Sequence, residues 1–276
     1  MEKLVSIAEW VKRRIARGDF DAEYLPAEQY YASIYRDCFK KHLQELGGGA
    51  SLRILDVGCG TGRFLMALAR DGHRMTGMDY HRDSYRVAKE KVDAADLDVE
   101  LHDGNLKKVL PTFADDTFDA ALSIEVLHTS RDLQADLAQL FRVVRPGGLL
   151  MITHRPKFYN IARCLAEGCP EDAVMVATTP QGRLKKAHHR IHYNWQSRRE
   201  IETLYRQLGG TPEVLYPIGT FSGFLSDPLT TVCDPGTLDA RQQAMLRQIE
   251  TGVDDELLMA SRYVLAVVRK NESSTE

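Results

Sequence analysis

The chain has 276 residues, 43% of them apolar, and a net charge of −3 from 36 basic and 39 acidic side chains. That length suits one large domain with insertions, and the near-balanced charge gives no global attraction to nucleic acid or anionic membrane. No apolar run approaches the roughly 20 residues of a membrane span, the start lacks a signal-peptide stretch, and the five cysteines show no CxxC pairing, so a reduced cytoplasmic protein is expected.

Residues 1–50 read as helical. Leu4, Ile7, Ala8, Val11 and Ile15 form an apolar stripe at helical spacing. A second helix is expected from Ala27 to Leu46, ended by Gly47-Gly48-Gly49. It carries Tyr30, Tyr31 and Tyr35. The run Ile54-Leu55-Asp56-Val57 then reads as a buried strand entering a glycine turn, Gly58-Cys59-Gly60-Thr61-Gly62, with a helix starting near Arg63. Alternate glycines let the backbone turn tightly and approach a ligand closely. The dinucleotide fingerprint needs a glycine where Arg63 stands. The spacing fits a nucleoside-bearing ligand without a pyrophosphate, and S-adenosylmethionine is the candidate.

Further acidic strand ends follow in order. Asp79, in Gly77-Met78-Asp79-Tyr80, lies about 20 residues past the glycine turn, where doubly wound folds place a ribose-binding carboxylate. His102-Asp103-Gly104-Asn105 follows the β-like run Val99-Glu100-Leu101. The fourth strand begins at Phe118 and leaves through Ser123-Ile124-Glu125-Val126-Leu127-His128. The next helix has a start signal at Thr129 with Asp132 three residues on. Pro146-Gly147-Gly148 then introduces an apolar strand that ends in Thr153-His154. A helix near Ser197–Leu208, a strand near Glu213–Ile218 and a last strand at Arg262–Arg269 complete the reading, with a frayed tail from Asn271.

From about Leu52 to Thr153 the chain resembles the class I S-adenosylmethionine-dependent methyltransferases, particularly the branch of ubiquinone and menaquinone biosynthesis. The resemblance implies a Rossmann-like, doubly wound α/β fold. Its seven-stranded sheet is mostly parallel, with an antiparallel C-terminal strand, and here it carries helical cap insertions. It implies S-adenosylmethionine as cofactor, with Asp103 receiving the adenine amino group. The cofactor-binding candidates are Asp56, Gly58, Cys59, Gly60, Gly62, Asp79, Tyr80, Asp103, Gly104, Asn105, Ser123 and Ile124. The expected organisation is a helical lid at 1–50 and a methyltransferase domain at 51–276, with cap insertions at about 155–196 and 219–260.

Those insertions are long for α/β connections and are candidates for the acceptor pocket. From Arg155 to Arg199 there are nine basic and three acidic residues; from Asp227 to Glu256 there are two and seven. Arg183, Lys185, Lys186 and Arg190, with His188, His189 and His192, would attract an anionic acceptor, or else remain solvated or pair with the acidic insertion. His128 is the first candidate for a general base and His154 the second. Tyr30, Tyr31, His192 and Tyr193 are candidates for binding the acceptor. No Asn/Asp-Pro-Pro-aromatic loop follows the fourth strand, and only Glu125 is available there for a metal, so no metal is expected. The expected activity is methyl transfer to oxygen, nitrogen or carbon of a small molecule. A tRNA or protein acceptor, or a non-catalytic cofactor-binding protein, is the alternative. Nucleic-acid binding is disfavoured, and a homodimer is left open.

Overall fold

Alternating apolar runs and amphipathic helices set the first half of the chain. A computed structural model describes residues 25–186, 189–223, 227–252 and 257–272. The helix expected from the stripe at 4–15, His188, the side chain of Lys186 and most of the C-terminal tail lie outside the described residues. Helix α1 (Pro26–Gly47) precedes β1 (Arg53–Val57), α2 (Arg63–Arg70), β2 (Arg74–Asp79), α3 (Arg82–Ala95), β3 (Val99–Asp103), the single-turn α4 (Leu106–Val109) and β4 (Phe118–Ser123). Then come α5 (Leu133–Val143), β5 (Val144–His154), α6 (Lys157–Ala166), α7 (Pro170–Thr178), β6 (Gln181–Lys186) and β7 (His189–Asn194). Helix α8 (Arg198–Gln207), β8 (Gly210–Ile218), α9 (Ala240–Thr251) and β9 (Tyr263–Lys270) finish the chain.

The main sheet has seven strands in the order β3-β2-β1-β4-β5-β9-β8. Strands β1 to β5 pair in parallel, and β9 runs antiparallel to both β5 and β8. This is the expected doubly wound sheet. The central strands are apolar on both faces because helices cover both. Successive residues alternate faces. Ile54, Met75, Leu122, Met151 and Leu265 face a core closed by α1 and α2, and Leu55, Met78, Ala121, Leu150 and Ile152 face one closed by α5 and α8. Helix α1 is held to its core by aromatic rings: Phe39 and Phe64 meet edge to face at 5.2 Å, and Tyr35 and Phe64 at 5.6 Å.

Two expectations are refined. The insertion at 155–196 is helical only in its first half; its second half is the antiparallel β6–β7 hairpin. The charged residues there hid a two-residue period. Leu184 and Tyr193 point inward, onto a separate small core with Trp195, Val176 and Cys164. Helix α5 is capped by Asp132, whose carboxylate accepts the Ala135 N–H at 3.1 Å. The start signal read at Thr129 was misplaced: its hydroxyl donates to the Val126 carbonyl at 3.0 Å within a tight turn.

Candidate active site

The glycine turn after β1 is built from main-chain geometry that side chains would spoil. Gly58 and Gly60 have φ of 74° and 57°, the left-handed region that favours glycine. A Cβ on Gly58 would collide with Val126, whereas one on Gly60 would meet no atom within 4 Å and would project into open space. Gly58 is thus required by packing as well as φ, and Gly60 by φ and by the space it leaves. The Gly58 and Cys59 N–H groups donate to the Met78 carbonyl at 2.8 and 3.0 Å, locking the turn to β2.

Asp79, at the end of β2, is braced from two sides. One carboxylate oxygen accepts the Gly60 N–H at 2.8 Å and the other accepts the His81 N–H at 2.7 Å. Each oxygen retains further acceptor capacity, so the braced carboxylate can still take two hydroxyl donors. Beside it lies a cleft of about 590 Å³, lined by Gly58, Asp79, Tyr80, Gly104, Asn105 and residues of the loop after β4. That volume is within the usual range of small-molecule sites. Tyr80 is 71% exposed and offers a ring at the rim.

Other sequence candidates sit below or beside this cleft. Asp103 ends β3 directly opposite Asp79 and is exposed. The Asn105 side chain caps α4 by accepting the Lys108 N–H at 3.0 Å. Gly62 starts α2 and packs near Ala88. Ser123 and Ile124 are buried under the cleft floor, and the Ser123 hydroxyl has no hydrogen-bond partner among the described residues. Asp56 is buried too, with Oδ2 unpartnered among the described residues. Burial, and then the like charge of Asp79, push its pKa up to about 7. The open space at Gly60, the braced Asp79 and the orphaned Asp56 oxygen together fit a ligand that brings hydroxyls and a cation.

The loop 125–131 forms the far wall of the cleft. Glu125 adopts a positive φ of 62°, uncommon for a residue with a side chain, and its N–H donates to Thr153 Oγ1 at 2.6 Å. Its carboxylate accepts the Tyr35 hydroxyl at 3.3 Å. The cap hairpin is tied to the same loop: the Asn194 amide donates to the carbonyls of Leu127 and Ser130 at 2.8 and 2.9 Å. His192 Nε2 lies 3.2 Å from the Ser130 carbonyl.

Behind that loop, where β5 ends and the antiparallel β9 begins, polar groups collect in a shielded cluster. His128 is buried, stacked on Tyr193 at 5.6 Å and 10°, and tilted against Tyr263 at 5.6 Å. Arg155 and Arg262 are 7% and 6% exposed. Arg262 pairs with Asp227 at 3.4 Å and Glu125 at 3.7 Å, and lies 5.3 Å from the ring of Tyr31. Arg63, which occupies the position of the missing third glycine, pairs with Glu28 of α1 at 2.8 Å, so the helix before the domain is clamped to the start of α2.

The sequence candidates therefore separate. His128, Tyr31 and Tyr193 meet in or beside the shielded cluster. Tyr30 instead donates to the buried Glu250 at 2.9 Å, in the contact between α1 and α9. His154 lies on the opposite face of the strand end, its ring nitrogens 3.1 Å from Gln196 Oε1 and 2.6 Å from the Tyr205 hydroxyl. Burial pushes its pKa down to about 4, so it is neutral and fully engaged. Arg183 and Arg190 of the basic run are absent from the cleft lining. Arg183 and Arg190 donate to each other's carbonyls, and Arg190 pairs with Asp172. Sequence reasoning missed Arg155, Arg262, Tyr263 and Glu28. The only signal was a charged residue flanking each of the apolar strands at 144–154 and 263–270. Among the described residues no group of three or more His, Cys, Asp or Glu is gathered as a metal site, and no helix is long and apolar enough to cross a membrane.

Residues 55–152 match the profile of a methyltransferase domain family. The chain is 33% identical over 123 residues to a malonyl-acyl-carrier-protein O-methyltransferase of Erwinia pyrifoliae, covering 45% of each protein. It is 27% identical over 179 residues to a ubiquinone biosynthesis O-methyltransferase of Maricaulis maris, covering 64% of this chain and 65% of that one. The chain thus spans about half the length of the curated relatives it matches. The Burkholderia thailandensis 1,6-didemethyltoxoflavin-N1-methyltransferase structure, with S-adenosylhomocysteine bound, shares the fold at a TM-score of 0.58 and 16% identity over 96% of this chain and 88% of that one. Residues 55–152 are thus similar to a methyltransferase domain, and the chain shares its fold with that S-adenosylhomocysteine-bound structure.

Proposed function

We propose that the protein transfers a methyl group from S-adenosylmethionine to a small-molecule acceptor enclosed behind loop 125–131. One arrangement carries this reading: the strand-end cleft with its braced Asp79 shares a wall with a solvent-shielded cluster that holds His128. The sulfonium of the cofactor supplies an activated methyl group. Asp79 orients the ribose hydroxyls, and the space above Gly60 admits the ligand. The acceptor lone pair forms the new bond to the methyl carbon, and the broken carbon–sulfur bond leaves its pair on sulfur. Where the acceptor is a hydroxyl or an acidic carbon, His128 takes the proton. The walls exclude water and hold the two reactants at attack distance. The acceptor atom is oxygen, nitrogen or carbon, and the relatives' names, which include O- and N-methyltransferases, support the first two. A shielded cluster suits a small molecule better than tRNA or a protein. The five cysteines are free thiols, in keeping with a reducing compartment such as the cytoplasm. The test is calorimetry with S-adenosylhomocysteine: the wild type should bind it, and failure to bind would end this reading.

A further inference from the structure

The two buried arginines behind loop 125–131 form an internal control. They are equally shielded, and both touch Tyr263: its ring centroid is 4.7 Å from Arg155 Cζ and 5.3 Å from Arg262 Cζ. Arg262 is neutralised by Asp227 and Glu125. Arg155 has no carboxylate among the described residues. Its Nη2 donates to the Tyr263 hydroxyl at 3.0 Å, while Nε and Nη1 are buried without a hydrogen-bond partner among the described residues. The rings of Tyr193 and Tyr159 stand 5.5 and 5.8 Å from its Cζ. Aromatic faces attract a cation, but they accept no conventional hydrogen bond and carry no counter-charge. A guanidinium cannot shed its proton in a protein. Burying one without an anion is costly, and one buried arginine here avoids that cost while its neighbour does not. Nearby carboxylates were available to the fold, since Tyr159 donates to the same Asp227 that pairs with Arg262.

We propose that Arg155 is the acceptor-recognition residue, and that the acceptor is a planar small molecule carrying a carboxylate, which supplies the missing counter-charge. This rests on the methyltransferase reading above. The guanidinium stands among the rings of Tyr159, Tyr193 and Tyr263, a ring-rich setting that favours an aromatic acid over an aliphatic one. It also moves the source of anion recognition. Arg183 and Arg190 of the insertion are turned to each other's carbonyls, and Arg190 to Asp172, whereas Arg155 is desolvated, where a charge-assisted bond is strongest.

The test uses the full chain saturated with S-adenosylhomocysteine, titrated calorimetrically with benzoate and 4-hydroxybenzoate and with the neutral benzamide and 4-hydroxybenzamide. The acids should bind about 10- to 100-fold more tightly than the amides, as charge-assisted hydrogen bonds to a buried donor imply. Arg155→Met should reduce the acids to the level of the amides, leave S-adenosylhomocysteine affinity unchanged and raise the melting temperature of the ligand-free protein, because it removes an uncompensated buried charge. Equal binding of acid and amide by the wild type overturns the proposal, as does acid binding that survives Arg155→Met. A fall in melting temperature would return Arg155 to the scaffold and overturn it too. The acid–amide comparison needs only the wild type, so it decides the matter even if the variant does not fold. Failure of the wild type to bind S-adenosylhomocysteine would instead remove the methyltransferase reading, and the same titration without it still tests Arg155.

Discussion

On the cleft side of loop 125–131, recognition is assembled largely from main chain: positive-φ glycines, amides of residues 58–60 locked to β2, and one carboxylate held by two N–H groups. On the far side the proposed acceptor cluster is assembled from long side chains, Arg155, Arg262, Tyr193 and Tyr263, that are distant in sequence and packed ring on cation. The first construction tolerates little at a given position, because a Cβ changes the backbone or fills the site. The second can be altered one side chain at a time without disturbing the sheet. This difference suits a domain that keeps one donor while the acceptor changes.

The sharpest way to break the contrast is at Gly60. Gly60→Val should abolish S-adenosylhomocysteine binding, because it combines a left-handed φ with a branched side chain in the ligand's space. Normal calorimetric affinity in a folded variant would show that the cleft is not the donor site. Across the loop, His128→Ala should lower turnover by about 10²–10⁴-fold while donor affinity holds, as expected for loss of a general base. An equal loss in donor affinity would dissolve the distinction between the two sides.

His154 belongs to neither side, and pH can show it. Its folded pKa is about 4 against an ordinary 6.5, so the fold favours the neutral ring. The associated stability is complete above about pH 6.5 and is lost as pH falls toward 4, in total about 3 kcal/mol. Urea midpoints measured from pH 7 to 4 should fall for the wild type, and the slope should flatten in His154→Gln. An unchanged slope in that variant would place the acid sensitivity elsewhere. Asp79→Ala should weaken donor binding by about 1–3 kcal/mol, since the ribose would lose a charged partner. The smallest expected effect is none: EDTA should leave turnover unchanged, and restoration of lost activity by magnesium would contradict this.

The same difference in construction explains what could be read in advance. Asp56, the glycine turn, Asp79 and the apolar strands 53–57 and 118–123 are local patterns, because a turn or a buried strand writes its requirements into consecutive residues. Their order and spacing carried the resemblance that implied the sheet. Arg155 and Arg262 are more than a hundred positions apart, and they meet only because β9 runs antiparallel to β5, with Val264 opposite His154. That register brings the start of β9 to the edge where the parallel strands end. No local pattern encodes such a meeting, so the exposed cations 183–190 drew attention instead. Their role was masked because a β-hairpin with polar outer positions resembles a charge run. His154 was misleading for a related reason. Adjacent residues on a strand face opposite sides, and one step along the chain separates the shielded cluster from the core around Tyr205.

Loop 125–131 is a partition between the cleft and the buried cluster, strutted to the cap hairpin through Asn194 and to α1 through Glu125 and Tyr35. A ligand that orders this partition from one side reduces the ordering cost left for a ligand on the other. The two affinities are then linked, and thermodynamics makes the linkage reciprocal: whatever factor the donor product adds to acceptor binding, the acceptor returns to it. In kinetic terms, such a wall favours ordered addition, with the donor entering first and setting the partition against which the acceptor closes.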